Sequence, residues 1–538
     1  MHSIRPFLLR GILLLLPLAS QGAGAVLLPA LFQAPLTQAP LRQLFDEFPL
    51  PCAPLPASLN AAAQAQLDAF YQQRDDRLAW RDAAHLSALR EQLALLADDG
   101  LDPSDYPLPT GLASAAEESR QACADLLASH AYLRALQHLR NGRLPQARLE
   151  PLWHPQDGTR ADPHLAVLPI ALRELDQPAR AFAAARPTLP QYQALRRAYA
   201  RIRQQPLTNW LPLADGPLLH PGQDDARVPA LRRRLAAEDY LPGAPTSRLD
   251  SRFDPELVAA LQAFQRHHGL KPDGLLGPAS VAELNVDART RRDQLRINLE
   301  RLRWLADDLA TAHVAINVAA AELLVLQDGQ VLWRTRTQVG RPERPTPLLA
   351  SRIERLTLNP RWIVPPTIFR EDKLPEIRSD PSYLERHEMS VYDHSGNLLD
   401  PWLVDWDNPG PIRLRQAAGP QNPLGRLALR FPNPFAVYLH DTPSQLLFDK
   451  SPRLFSSGCV RVEAVTTLLD FLLAPEEVAA VQQRIASGRT QEYRLSQAVP
   501  LLIGYWTVEV DADGQPRYVP DIYSHDRRLL RALLRTRP

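Results

Sequence analysis

The chain has 538 residues, enough for about three domains. Its 61 basic and 60 acidic side chains nearly cancel, leaving a formal net charge of +1, which excludes a nucleic-acid protein built on a basic face. Lysine occurs only at Lys271, Lys373 and Lys450, and beside 52 prolines the arginine excess reads as compositional bias rather than a phosphate-binding design.

Residues 1–25 open with Arg5 and Arg10, run through an apolar stretch from Gly11 to Leu18 and end in Ala23-Gly24-Ala25, the pattern of a cleaved export signal. The run is short and broken by Pro17, so export to the periplasm is expected, with an uncleaved N-terminal anchor as the alternative. Cys52, Cys123 and Cys459 follow. In an exported chain this odd count suggests one working thiol and one disulfide, and the two N-terminal cysteines are the expected pair.

Residues 26–210 are rich in Ala, Leu and Gln, and Ala61–Phe70, Ala84–Asp98, Ala115–Ala128 and Leu189–Gln204 have helical spacing of apolar residues. No catalytic constellation stands out there. Residues 215–286 read as three short helices, Val228–Leu235, Pro255–His267 and Ala279–Leu284, the last preceded by a turn-rich stretch from Leu270 to Pro278. From about 292 the pattern turns to strands: His313–Val318, Glu322–Gln327, Val331–Val339 and Arg355–Leu358. A mixed polar stretch, about 367–415, carries Tyr383, His387, Tyr392, His394 and Trp406. Ala418–Arg430 and a strand over Phe435–His440 come next, then a loop from Ser444 to Arg453, a helix from Val462 to Leu473 and a hairpin within 500–523 turning at Asp511-Ala512-Asp513-Gly514. The tail, 526–538, reads as a solvated basic helix; a membrane-surface role is the lesser alternative. The fold class is thus multidomain α+β, with a helical N-terminal scaffold, a three-helix module and a mainly-β C-terminal domain over 292–525.

The chemistry concentrates near the end of that domain. Cys459 sits in a Ser456-Ser457-Gly458 turn a short loop after His440, whereas structural cysteines usually sit in apolar runs. A thiol becomes a good nucleophile as the thiolate, and a neighbouring imidazole is the usual activator. The residues assign Cys459 as nucleophile and His440 as general base. Gly458 lets the backbone approach a bound carbonyl, so the backbone N–H groups around Ser457, Gly458 and Cys459 are candidate oxyanion donors. Tyr438 falls on the same strand face as His440 and is a candidate to orient substrate, or a packed aromatic. Arg461 is a candidate partner for a substrate carboxylate, or a structural ion pair. On the Cys/His pair alone, a buried cysteine near an unrelated histidine is an equal reading.

A histidine, fifteen residues, then Ser-x-Gly-Cys, an aliphatic residue and Arg resembles the L,D-transpeptidase motif, with His440, Ser456, Gly458, Cys459, Val460 and Arg461 in the matching positions. Ser457 stands where most of that family has a second histidine, a departure shared by its large periplasmic branch. Phe264, Gln265, Gly269, Leu270, Asp273, Gly274 and Gly277 likewise resemble the signature of a three-helix peptidoglycan-binding module, with Phe264 and Leu270 expected in its core. The resemblance implies a helical scaffold before the catalytic domain, a substrate-capping insertion at 367–415, a substrate-binding part for Ser456 beside Tyr438 and Arg461, no metal or other cofactor, and sensitivity to carbapenems. It also implies peptidoglycan as partner, alongside cell-wall synthesis proteins. The implied reaction cleaves the bond between the L-centre of meso-diaminopimelate and the terminal D-alanine of a stem tetrapeptide, and joins the acyl group to the side-chain amine of another diaminopimelate. Alternatives are an L,D-carboxypeptidase, an enzyme linking or unlinking lipoprotein and wall, and an inactive wall-binding scaffold. A serine route through Ser-x-x-Lys is excluded, since His268, Arg370 and Leu447 stand three before the lysines. No zinc-type Cys/His spacing occurs.

Overall fold

The computed structural model describes Cys52, Pro56 and residues 58–109, 118–155, 165–207, 210–241 and 250–535. The expected export signal lies outside the described residues. Among them, no helix is long and apolar enough to cross a membrane.

The N-terminal unit is helical. Asn60 and Asp82 accept hydrogen bonds from the Ala63 and Ala84 N–H groups (3.0 and 2.7 Å), capping the helices Ala61–Gln72 and Ala83–Leu95. Both pack on the long helix Glu118–Asn141, whose Leu126, Tyr132, Leu133 and Leu136 are buried with Phe70, Leu89 and Phe182. Cys52 and Cys123 form a disulfide, as the cysteine count suggests, and Cys459 is free.

The three-helix module (Val228–Ala236, Pro255–His267, Pro278–Leu284) closes over Phe253, Leu257, Leu261 and Phe264. Its signature residues build its own turn. Buried Gln265 donates to Asp273 Oδ1, the Leu275 carbonyl and Ser280 Oγ, each at 3.1 Å, and accepts from the Gly274 N–H at 2.9 Å. Gly274 stands at φ +71°, a conformation a side chain would strain.

Between module and C-terminal domain runs a helix that the sequence pattern does not announce, Ala288–Trp304. Its sequence is mostly polar, yet it is the hub of the molecule. Leu295, Leu299 and Leu302 pack with Leu195 of the Pro190–Gln204 helix and with Leu324, Leu502 and Trp506 of the C-terminal domain. Its buried charges find partners at once: Arg301 bonds Glu150 (2.7 Å) and Asp526, and Arg303 bonds Glu300 (2.5 Å) and the Asp99 carbonyl (2.8 Å). The tail helix, His525–Arg535, docks on this hub through Leu529 and Leu533, which are buried with Ile297, Trp304 and Leu144. It is therefore not a solvated helix: its two leucines one turn apart form an apolar stripe beneath the arginines.

The C-terminal domain is a sheet of β1 (Val314–Asn317), β2 (Glu322–Gln327), β3 (Gln330–Gly340), β4 (Leu349–Leu358), β9 (Leu427–Arg430), β10 (Leu439–His440), β11 (Leu454–Ser456), β12 (Val460–Val462) and β13 (Gln491–Gly504), in the order β11-β3-β12-β10-β9-β4-β13-β1-β2. Because β2 also pairs with β3, the ladder closes on itself and leaves few open edges. The last hairpin, β14 (Val508–Val510) with β15 (Pro516–Tyr518), turns at Asp511–Gly514 as expected.

The polar insertion between β4 and β9 is a small folded unit. Its strands β5 (Trp362–Ile363), β6 (Met389–Tyr392), β7 (Leu398–Leu399) and β8 (Arg413–Gln416) form an antiparallel sheet in the order β5-β8-β6-β7. Phe369, Ile377, Leu384, Val391, Leu414 and Leu424 give it a core of its own. This core begins before residue 367 and ends after 415, because Trp362 pairs with Gln416 and Leu424 packs beneath.

Candidate active site

A parallel pairing builds the site. Strand β10 runs beside β12 with Leu439 opposite Val460 and His440 opposite Arg461. Leu439 and Val460 point into the core, nearly unexposed. Side chains alternate along strands, so Tyr438, His440, Cys459 and Arg461 share the opposite face. That one register brings together residues about twenty apart in sequence. The expected strand over Phe435–His440 shrinks to its last two residues. Before them Ala436 takes φ +54°, and Asn433 holds the bend by accepting from the Phe435 and Val437 N–H groups at 3.0 and 3.1 Å.

His440 is buried, and its Nδ1 lies 2.5 Å from the Asp441 carbonyl oxygen. A carbonyl only accepts, so Nδ1 carries the hydrogen and a neutral ring keeps Nε2 as a lone-pair base. Burial, with Arg461 and Arg430 adding to it, lowers the imidazole pKa to about 3, so the ring is neutral at physiological pH. Burial pushes the Cys459 thiol up, opposed by Tyr438, Arg430 and Arg461. At rest the cavity thus holds a thiol and a neutral imidazole on one face. Tyr438 faces the sulfur with its hydroxyl pushed up to about 12, by burial first and by Cys459 second, and the Arg430 guanidinium lies 3.8 Å over its ring.

The serines and glycine of the turn divide their work differently from expectation. Ser456 is buried, donates to the Cys459 carbonyl (2.5 Å) and accepts from the Gly458 N–H (3.1 Å), so it fixes the turn. The Gly458 N–H is therefore taken up by Ser456 and is not an oxyanion donor here. Gly458 itself stands at φ +113°, reserved in practice for glycine. Among the described residues the Ser457 and Cys459 N–H groups have no acceptor. Ser457 Oγ accepts from Arg344 at 3.0 Å.

All seven residues, Tyr438, His440, Ser456, Ser457, Gly458, Cys459 and Arg461, line one cavity of about 650 Å³. Its far wall is the insertion, which contributes Asp372, Lys373, Tyr383 and His387. Of the other ring residues noted in that stretch, Tyr392, His394 and Trp406 do not line it, Trp406 being in the insertion's core. Arg461 is mostly buried, donates to Gln338 Oε1 at 3.0 Å, and has a buried Nε without a partner and no carboxylate within reach among the described residues. Sequence reasoning missed Gln338, Arg430 and Arg344. Arg344 binds Asp372 (2.8 Å) and Glu371 of the insertion while holding Ser457, a three-way contact with no local sequence signal.

Comparison with known proteins bears on the domain that carries these residues. Residues 311–489 match the family described as "L,D-transpeptidase catalytic domain", a span that holds the whole β10–β12 pair. Over these residues the chain is similar to the L,D-transpeptidases. Residues 65–198 match a "Scaffold domain" and 224–284 a "Putative peptidoglycan binding domain". The three matches bear out the helical scaffold, the peptidoglycan-binding module and the transpeptidase domain as the parts of the chain. A protein of Haemophilus influenzae, described as "Putative L,D-transpeptidase", is 35% identical over 243 residues, covering 44% of this chain and 48% of its own length. The chain thus spans about half the length of that curated relative. Solved L,D-transpeptidases from Mycobacterium smegmatis (16% identity, 36% of this chain and 58% of that one, TM-score 0.18) and Xylanimonas cellulosilytica (16%, 56% and 100%, TM-score 0.17) align too weakly to bear on the fold.

Proposed function

We propose that the transpeptidase domain cross-links peptidoglycan in the periplasm by acyl transfer through Cys459. The observation that supports this most is the single face carrying Tyr438, His440, Cys459 and Arg461 at the floor of a roofed cavity. As Sγ attacks the carbonyl between the diaminopimelate L-centre and D-alanine, its proton passes to His440 Nε2, and the oxyanion forms against the Ser457 and Cys459 N–H groups. Collapse breaks the amide bond, and D-alanine leaves as an amine that takes the proton back from His440. The side-chain amine of a second diaminopimelate then attacks the thioester, giving its proton to His440 and returning the thiol. Arg461, charged and without a carboxylate, takes a carboxylate of the donor peptide. Mass spectrometry of products from purified tetrapeptide muropeptides tests the reading. A dimer smaller than two tetrapeptides by one D-alanine supports it. Tripeptide alone would assign the thioester to water, and unchanged substrate would overturn the reading.

A further inference from the structure

A second cavity, about 220 Å³, lies where the peptidoglycan-binding module meets the back of the transpeptidase domain, away from Cys459. Four arginines line it: Arg266 from the module, and Arg336, Arg453 and Arg517 from the catalytic domain, against one acid, Glu322. Two of the four are satisfied. Arg336 is held by Glu463 and by Asp449 at 2.9 Å, and Arg517 by Glu322 at 2.6 Å and Glu509 at 3.4 Å. The other two are not. Arg453 spends Nε and Nη2 on the carbonyls of Thr337, Ala320 and Ala321, at 3.1, 2.8 and 3.0 Å, which holds its fork rigid without neutralising it. Its Nη1 has no acceptor among the described residues and is not sealed from solvent. Arg266, exposed at the end of the Pro255–His267 helix, makes no ion pair among the described residues. Arg453 feels Glu322 and Glu463 only through space, and both acids are already bonded, to Arg517 and Arg336. A pre-oriented guanidinium with no direct ion pair, sharing a cavity with a second exposed one, is a receptor for an oxyanion.

We propose that this junction is an anion-binding site, taking a carboxylate or a phosphate in a two-arginine clamp between Arg453 and Arg266. The anion would bridge module and catalytic domain, so that wall occupancy stiffens the one against the other. The acyl-transfer chemistry is not required for it. The shared chemistry fits two sources, the C-terminal carboxylate of a stem peptide and a phosphate-bearing wall polymer.

Hydrogen exchange of the full chain carrying Cys459→Ala distinguishes them. The probes are a stem tetrapeptide, its C-terminal amide and inorganic phosphate. Slowed exchange at residues 319–322 and 451–454 with the tetrapeptide but not its amide identifies the carboxylate; slowing with phosphate alone identifies the polymer. Arg266→Glu, a surface reversal that spares the Arg453 carbonyl bonds, should abolish that slowing while leaving peptide protection at the active-site segments 435–440 and 456–461 and, in the Cys459 parent, turnover of soluble muropeptide unchanged. No slowing at the junction with any probe, or slowing that persists in Arg266→Glu, would overturn the proposal.

Discussion

Two buried arginines in this chain meet opposite fates. Arg301, fully buried in the hub helix, is clasped by Glu150 and Asp526. Arg461, mostly buried on the active-site face, has an amide oxygen from Gln338 and no carboxylate. Taking a guanidinium out of water is costly unless it is paired. The paired arginine holds scaffold, catalytic domain and tail together. The unpaired one carries that cost unrelieved, the observation behind the proposal that Arg461 takes a carboxylate of the donor peptide.

The comparison can be broken from several sides. The largest effect belongs to the Cys459 sulfur, which shares its face with Arg461. Cys459→Ala should abolish turnover and every covalent adduct while circular dichroism and the thermal midpoint stay near those of the parent; an acyl-enzyme mass shift surviving in the variant would refute the nucleophile. Next, Arg301→Ala should destabilise the fold by about 3–5 kcal/mol, because it strands Glu150 and Asp526 in the interior. Arg461→Gln should change stability by only about 1 kcal/mol or less and instead lower kcat/KM roughly 10–100-fold, the size of a lost charge-assisted hydrogen bond. If the two variants trade places in denaturation and kinetics, the distinction fails.

Much of this was readable beforehand, for identifiable reasons. That Cys459 and His440 would share a site was legible because a cysteine in a glycine turn a short loop after a histidine is a local pattern, and the structure places both on one cavity. The motif also carries Arg461, two residues on. The hub helix hides because its Arg301, Arg303 and Glu300 are buried by pairing, so hydrophobic spacing gives no period. Arg344 hides because its partners, Asp372 and Ser457, are near only in space. The Gly458 N–H was misread because sequence shows that a turn exists but not that Ser456 Oγ would claim the donor.

A further effect follows from pH. Burial keeps His440 neutral down to about 3, and His130 and His268 down to about 4. Below about 6.5 the unfolded chain takes up protons that these folded sites refuse, so stability is complete above that pH and falls as pH drops, by about 1.4 kcal/mol per unit for each histidine. Thermal unfolding between pH 7 and 4.5 should show a midpoint that falls; a flat profile would contradict the buried neutral rings.

The central claim is that His440, neutral and hydrogen-bonded through Nδ1 to the Asp441 carbonyl, takes the Cys459 proton. Covalent capture by a carbapenem, followed by intact-mass measurement from pH 6 to 10, tests it most directly. Acylation of the parent should be fast across the range, with no acid limb near 6.5, since the base form persists far below that pH. In His440→Ala it should be much slower at pH 7 and recover in part only at high pH, because burial has raised the thiol. Equal rates for parent and His440→Ala at pH 7 would show that His440 is not the base.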